Sequence, residues 1–203
     1  MDPRLRAAVA ASVAWYDDVF AALRIPVARR GELWVAGGPP PPYHSAVKTL
    51  VPGVATEDVL AAMTPFDHGT VADSFGDQDL APHGFDLLID ATWLHRPGST
   101  GAMPAGWRVV ADAPWTDGVP THPRMTFLGR HDGGDLVAGV VLHDTAGAVG
   151  VSNGWNASWT DVVAATGAVH PGRDLVDYAA GDDLAAALDA GFAALGPQRV
   201  WRR

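Results

Sequence analysis

Cysteine is absent from the 203 residues. That excludes disulfides, a thiol nucleophile and zinc centres built on Cys. Positive charge is scarce: 14 Lys and Arg face 23 Asp and Glu, for a net charge of −9. Nucleic acid and anionic membranes both need a positive surface, so neither is expected as the main partner. Long apolar runs are missing too. No stretch reaches the roughly 18 apolar residues a membrane span requires. Met1–Ile25 lacks an apolar core followed by a cleavage site. These absences predict a cytoplasmic protein with no membrane or nucleic-acid partner. The eight histidines (His44, His68, His83, His95, His122, His131, His143 and His170) form neither His-x-His nor His-Glu-x-x-His, so no metal site is expected. A Gly-x-Ser-x-Gly elbow, a phosphate-binding P-loop and a dinucleotide fingerprint are likewise missing. What remains is 48% apolar and 18% charged, enough for a core in one large domain or two of about 100 residues each.

Leu5, Val9, Val13, Tyr16, Phe20 and Leu23 recur at steps of three and four and predict an opening helix. Asp2 serves as its cap, Pro3 as its first residue and Pro26 as its stop. Strands are expected at Gly31–Gly37, Ser45–Val51, Thr70–Asp73, Phe85–Leu94 and Trp107–Ala111. Thr56–Met63 reads as a short helix capped by Thr56. Pro39–Pro42 cannot donate to a ladder and marks a loop. Pro97–Gly106 is the best linker. Beyond it, Met125–Arg130, Asp135–His143 and Ala148–Asn153 read as an antiparallel meander with Gly-containing turns. Then come a helix at Ser158–Thr166, a strand at Asp174–Tyr178, a helix at Asp182–Phe192 and a last strand holding Arg199–Trp201.

The halves resemble each other. Asp73, Asp79-Leu80, Gly84-Phe85 and Trp93 recur in order as Asp177, Asp183-Leu184, Gly191-Phe192 and Trp201. Gly31-Glu32-Leu33 matches Gly134-Asp135-Leu136. All five offsets lie between 103 and 108 positions, which argues for a duplication, with chance agreement in a Gly- and Ala-rich chain as the other reading. The first copy is eroded: Pro82 stands where its last helix would run.

The second half resembles the acyl-CoA-dependent GNAT N-acetyltransferase superfamily. Met125–Asn153 matches its meander, and Leu175–Trp201 matches its strand–helix–strand ending. The resemblance implies an α/β (α+β) fold: a mixed, mainly antiparallel sheet with flanking helices, as two degenerate halves, 1–104 and 105–203. It also implies acetyl-CoA as co-substrate and a small-molecule amine as acceptor. The family's pyrophosphate pattern, Arg/Gln-x-x-Gly-x-Gly/Ala, falls here on Asn153-Gly154-Trp155-Asn156-Ala157-Ser158, with one glycine and no leading Arg or Gln. Backbone N–H groups of the helix starting near Ser158 offer another way to meet phosphate.

Asn153, Gly154, Trp155, Asn156, Ser158 and Asp177 are therefore the expected coenzyme-binding residues. Turn chemistry is the competing reading for Asn153, Gly154 and Asn156, and core filling for Trp155 and Trp159. Tyr178 is the candidate acid for the leaving thiolate, or else a half-buried strand-end tyrosine. His95 is either a base facing the cleft or a surface histidine. Trp93 and Trp201 are expected to pack. A catalytically degenerate module that binds a small ligand or protein is the alternative function, and the sequence leaves room for a homodimer.

Overall fold

A computed structural model of the chain describes residues 1–116 and 118–203. Its first helix, α1 (Pro3–Ala22), starts as the sequence predicts: the Asp2 carboxylate accepts the Arg4 N–H at 2.8 Å, with Pro3 at the first helical position. A hairpin follows, β1 (Val27–Arg30) and β2 (Leu33–Ala36). β1 is not foreseen from the sequence because all four of its residues are exposed, so no apolar alternation marks it. β3 (Val47–Thr49) is shorter than the expected Ser45–Val51. α2 (Thr56–Met63) has Ala55 at its N-cap rather than Thr56, whose hydroxyl instead donates to Gln78 Oε1 at 3.1 Å.

β4 (Thr70–Asp73) leads through a single 3₁₀ turn at Ala81–His83 to β5 (Asp86–Arg96). Then come β6 (Trp107–Val110), the meander β7 (Met125–Asp132), β8 (Asp135–Asp144) and β9 (Val149–Trp155), and helix α3 (Trp159–Val169). β10 (Leu175–Ala179), α4 (Gly181–Asp189) and β11 (Ala193–Arg202) close the chain. β11 extends well beyond the expected Arg199–Trp201. Gly196 and Pro197 stay within the strand because a register shift against β5 absorbs the irregularity.

Eleven strands form one sheet in the order β1-β2-β3-β4-β11-β5-β10-β9-β8-β7-β6. The last strand thus lies between β4 and β5, antiparallel to both. Residues 1–104 supply β1–β5 and residues 105–203 supply β6–β11 to this single sheet. Among the described residues only β3 with β4 and β9 with β10 pair in parallel, and each of these pairs is linked through a helix, the usual parallel crossover.

Alternation along the strands separates two layers around the second parallel pair. Val176 packs with Ala8, Val9 and Ala11 of α1, while Leu175 and Ala179 pack with Val162, Val163 and Ala187 of α3 and α4. Trp93 and Trp201 are buried, as expected of packing residues. No described helix is long and apolar enough to cross a membrane.

Candidate functional site

The site begins where β9 and β10 part. They hold parallel register only at Val149 with Leu175 and Gly150 with Val176. Beyond that point β9 bulges: the two-residue step from Gly139 to Val141 on β8 faces the three-residue step from Ser152 to Trp155 on β9. Asn153 sits in this bulge with φ +51°, and Asn156 follows with φ +49°. Asn is among the few non-glycine residues that tolerate this region. The bulge turns β9 away and opens a fork.

Two cavities flank the fork. One, of about 310 Å³, lies on the α1 face and is bordered by Ser12, Trp15, Trp93, His143, Ser152 and Tyr178 among others. The other, of about 300 Å³, lies on the α3 and α4 face and is bordered by Gly154, Asn156, Trp159 and Asp183. Val151 and Asp177 line both. Of the expected residues, the structure therefore brings Asn153, Asp177 and Tyr178 to the first cavity and Gly154, Asn156 and Asp177 to the second.

Trp155 is turned outward, 37% exposed and stacked on Trp115 with ring centroids 6.5 Å apart. Ser158 caps α3, its hydroxyl oxygen accepting the Asp161 N–H at 3.1 Å. Trp159 Nε1 donates to Asp183 at 2.7 Å. Two carboxylates, Asp161 and Asp183, therefore stand beside the start of α3, and Arg130 reaches Asp161 only at 3.6 Å. His95 is neither a cleft base nor a surface residue: it is buried and paired with Asp174 at 3.0 Å.

Burial governs the electrostatics of the fork. It pushes the Asp177 carboxyl well above the usual carboxylate range, and Asp183 adds to the shift. It also raises the Tyr178 hydroxyl, which keeps its proton at neutral pH.

Residues that periodicity could not single out complete the α1-side cavity. His143 on β8 is 1% exposed, and its Nε2 meets Asp18 Oδ2 of α1 at 2.7 Å. Arg124 holds the other Asp18 oxygen, and His122 Nδ1 lies 3.3 Å from Oδ2. Burial pushes Asp18 upward, but the bonds from Arg124 and His143 outweigh it and leave the carboxyl below its ordinary range. Burial lowers His143 despite Asp18. A neutral His143 that donates from Nε2 carries its lone pair on Nδ1, and Nδ1 is buried with no hydrogen-bond partner.

The side chains of Asp18, His122 and His143 are the described group that could hold a metal ion. The 2.7 Å between Asp18 and His143 is a hydrogen-bond distance. Two ligands of one tetrahedral ion stand about 3.3 Å apart, and Arg124 already neutralises the carboxylate. The group therefore reads as an oriented imidazole.

No family model and no curated protein matches the sequence. Solved structures do match. A conserved protein of unknown function from Staphylococcus epidermidis shares 10% identity, with 91% of this chain and 96% of that one covered, at TM-score 0.62. A GCN5-related N-acetyltransferase from Kribbella flavida shares 17% identity over 95% of each chain at TM-score 0.59. A GNAT-family protein from Novosphingobium aromaticivorans shares 15%, covering 91% and 95%, at TM-score 0.58. The chain thus has the GNAT fold, a mixed α/β arrangement with an open, largely antiparallel sheet.

Proposed function

We propose that the chain is an acyl-CoA-dependent N-acetyltransferase acting on a small amine. The observation that carries this reading is the pair of cavities on opposite faces of the sheet, both lined by Val151 and Asp177 where β9 and β10 separate. Acetyl-CoA would approach from the α3 and α4 side, past Gly154, Asn156 and Asp177. The amine would occupy the α1-side cavity and attack the thioester carbonyl through the fork. His143 Nδ1 takes the amine's proton, and Asp18 stabilises the imidazolium that forms. Tyr178, whose hydroxyl stays protonated, returns a proton to the departing thiolate. A cytoplasmic setting fits an enzyme with no cysteine of its own.

One observation favours a second reading, a degenerate module that binds without chemistry. Asp161 and Asp183 stand at the helix start where a pyrophosphate would be held, and like charge there weakens binding. Thermal melting with and without millimolar acetyl-CoA separates the two. Ligand at 100 times its dissociation constant stabilises by about 2.7 kcal/mol. A clear rise in Tm supports the enzyme, and an unchanged Tm removes it in favour of the module. If Tm rises, Tyr178→Phe should lower turnover while leaving that rise intact. Unchanged turnover would take Tyr178 out of the mechanism.

A further inference from the structure

We propose that the amine carries a carboxylate, bound at a subsite formed by Ser12 and Lys48, so that the acceptor belongs to the class of amino acids. This rests on the reading of the α1-side cavity as the acceptor pocket.

Lys48 of β3 is 1% exposed. Its ammonium donates to Ser12 Oγ of α1 at 2.9 Å and lies over the rings of Tyr16 and Trp93, at 4.9 and 5.7 Å from their centroids. Among the described residues no carboxylate stands within ion-pair distance of it; the ion pairs of the fold involve arginines and histidines. A lysine ammonium has three donors, and this one has a single hydrogen-bond partner. Burying such a group without a counter-charge is costly. Burial accordingly lowers Lys48 to about 7.

Ser12 passes this unspent charge to the cavity. Its oxygen accepts from Lys48, and among the described hydrogen bonds its own O–H has no acceptor. Ser12, Tyr16 and Trp93 all border the cavity. A ligand carboxylate there accepts from Ser12 and gives Lys48 the negative charge the protein withholds.

His143 borders the same cavity in the opposite condition. Its carboxylate partner is already matched by Arg124, and what it offers is a lone pair. A buried cation without an anion behind Ser12, and an acceptor without a donor on His143, fit a ligand with both a carboxylate and an amine. The walls between are aromatic, from Trp15, Tyr16 and Trp93.

Binding of two matched pairs tests this without acetyl-CoA: L-alanine against ethylamine and L-phenylalanine against 2-phenylethylamine, followed by NMR titration and calorimetry. At least one amino acid should bind about tenfold or more tighter than its decarboxylated partner. Lys48→Met, which keeps an apolar chain of similar length, should erase that preference while leaving amine binding within about twofold. Ser12→Ala should reduce it in part. Equal binding of amino acid and amine to the native protein overturns the subsite. So does an amino-acid preference that survives Lys48→Met, or no amino-acid binding at all. Failure of acetyl-CoA to raise Tm alongside an intact preference would strike the acyl-transfer reading and leave the subsite standing.

Discussion

Among the described residues the sheet contains two forks, one closed and one open. Both are parallel strand pairs held by two register positions, β3 with β4 and β9 with β10, and each is linked through a helix. At the first fork the space beyond the paired residues is sewn shut. Thr49 Oγ1 accepts the Ser74 N–H at 2.8 Å. The Asp73 carboxylate accepts the N–H groups of Phe75, Gly76, Asp77 and Gln78. Gln78 donates to the Val54 carbonyl at 2.8 Å, and Asp77 accepts from Gly53 at 2.6 Å. At the second fork a bulge in β9 replaces the stitching, and Val151 and Asp177 line a cavity on either side. Diverging strands are therefore not a site by themselves. The site depends on what fills the wedge.

The largest effect should come from unpicking the closed fork. Asp73 is fully buried and its carboxylate organises a whole loop, so Asp73→Ala takes the acceptor from the buried Gln78 N–H and from three part-buried ones. The expected loss is about 3 kcal/mol or more, a fall in Tm of about 6–12 °C for a domain of this size. Binding of amines at the open fork in the folded fraction should be unchanged. A variant that melts like the native protein would show that the stitching is incidental and that something else keeps this wedge closed.

The converse change closes the open fork. A Cβ on Gly150 would meet nothing nearer than the His143 carbonyl at 3.8 Å and Ala11 Cβ at 4.0 Å. Gly150→Leu therefore fits at its root and extends into the α1-side cavity. Tm should stay within about 3 °C of native, the cost of modest overpacking, while amine or amino-acid binding falls by about tenfold or more in titration. Retained binding would place the ligand elsewhere.

The sequence made much of the scaffold legible and little of the open fork's chemistry. α1, the meander, α3, β10 and α4 announce themselves through periodicity, caps and Gly-containing turns, because each buries one face against a neighbour. β1 buries nothing and gives no signal. The fork residues Asn153, Gly154, Asp177 and Tyr178 stand out because they lie where a strand ends. The Asp18–His143 pair is 125 positions apart and the Ser12–Lys48 pair 36 apart. Neither pair shares an element, so only the packing of α1 across the sheet brings them together. A lone Lys in a three-residue strand looks like a surface residue until the helix above it is in place.

The smallest expected effect concerns Asp177, one of the two residues that line both cavities. Asp177 accepts its neighbour Tyr178's N–H at 2.7 Å, and burial raises its pKa well above the ordinary 3.8. Below about pH 4 the carboxyl is protonated in both the folded and the unfolded chain, and its contribution to stability is fully present. As pH rises, the unfolded chain ionises first while the folded one resists. Stability is then lost progressively until the folded group ionises as well. Asp177→Asn keeps an oxygen for the Tyr178 N–H and removes the titration. It should therefore melt above the native protein at neutral pH, with the gain shrinking to nothing near pH 4. The closed fork offers the control. Asp73 is also raised by burial, but its carboxylate accepts four N–H groups, so Asp73→Asn must turn an amide N–H toward one of those donors and should lower Tm at neutral pH. A Tm gain for Asp73→Asn, or none for Asp177→Asn, would mean that the two forks hold their carboxyls on the same terms and that the open one carries no strain toward a ligand.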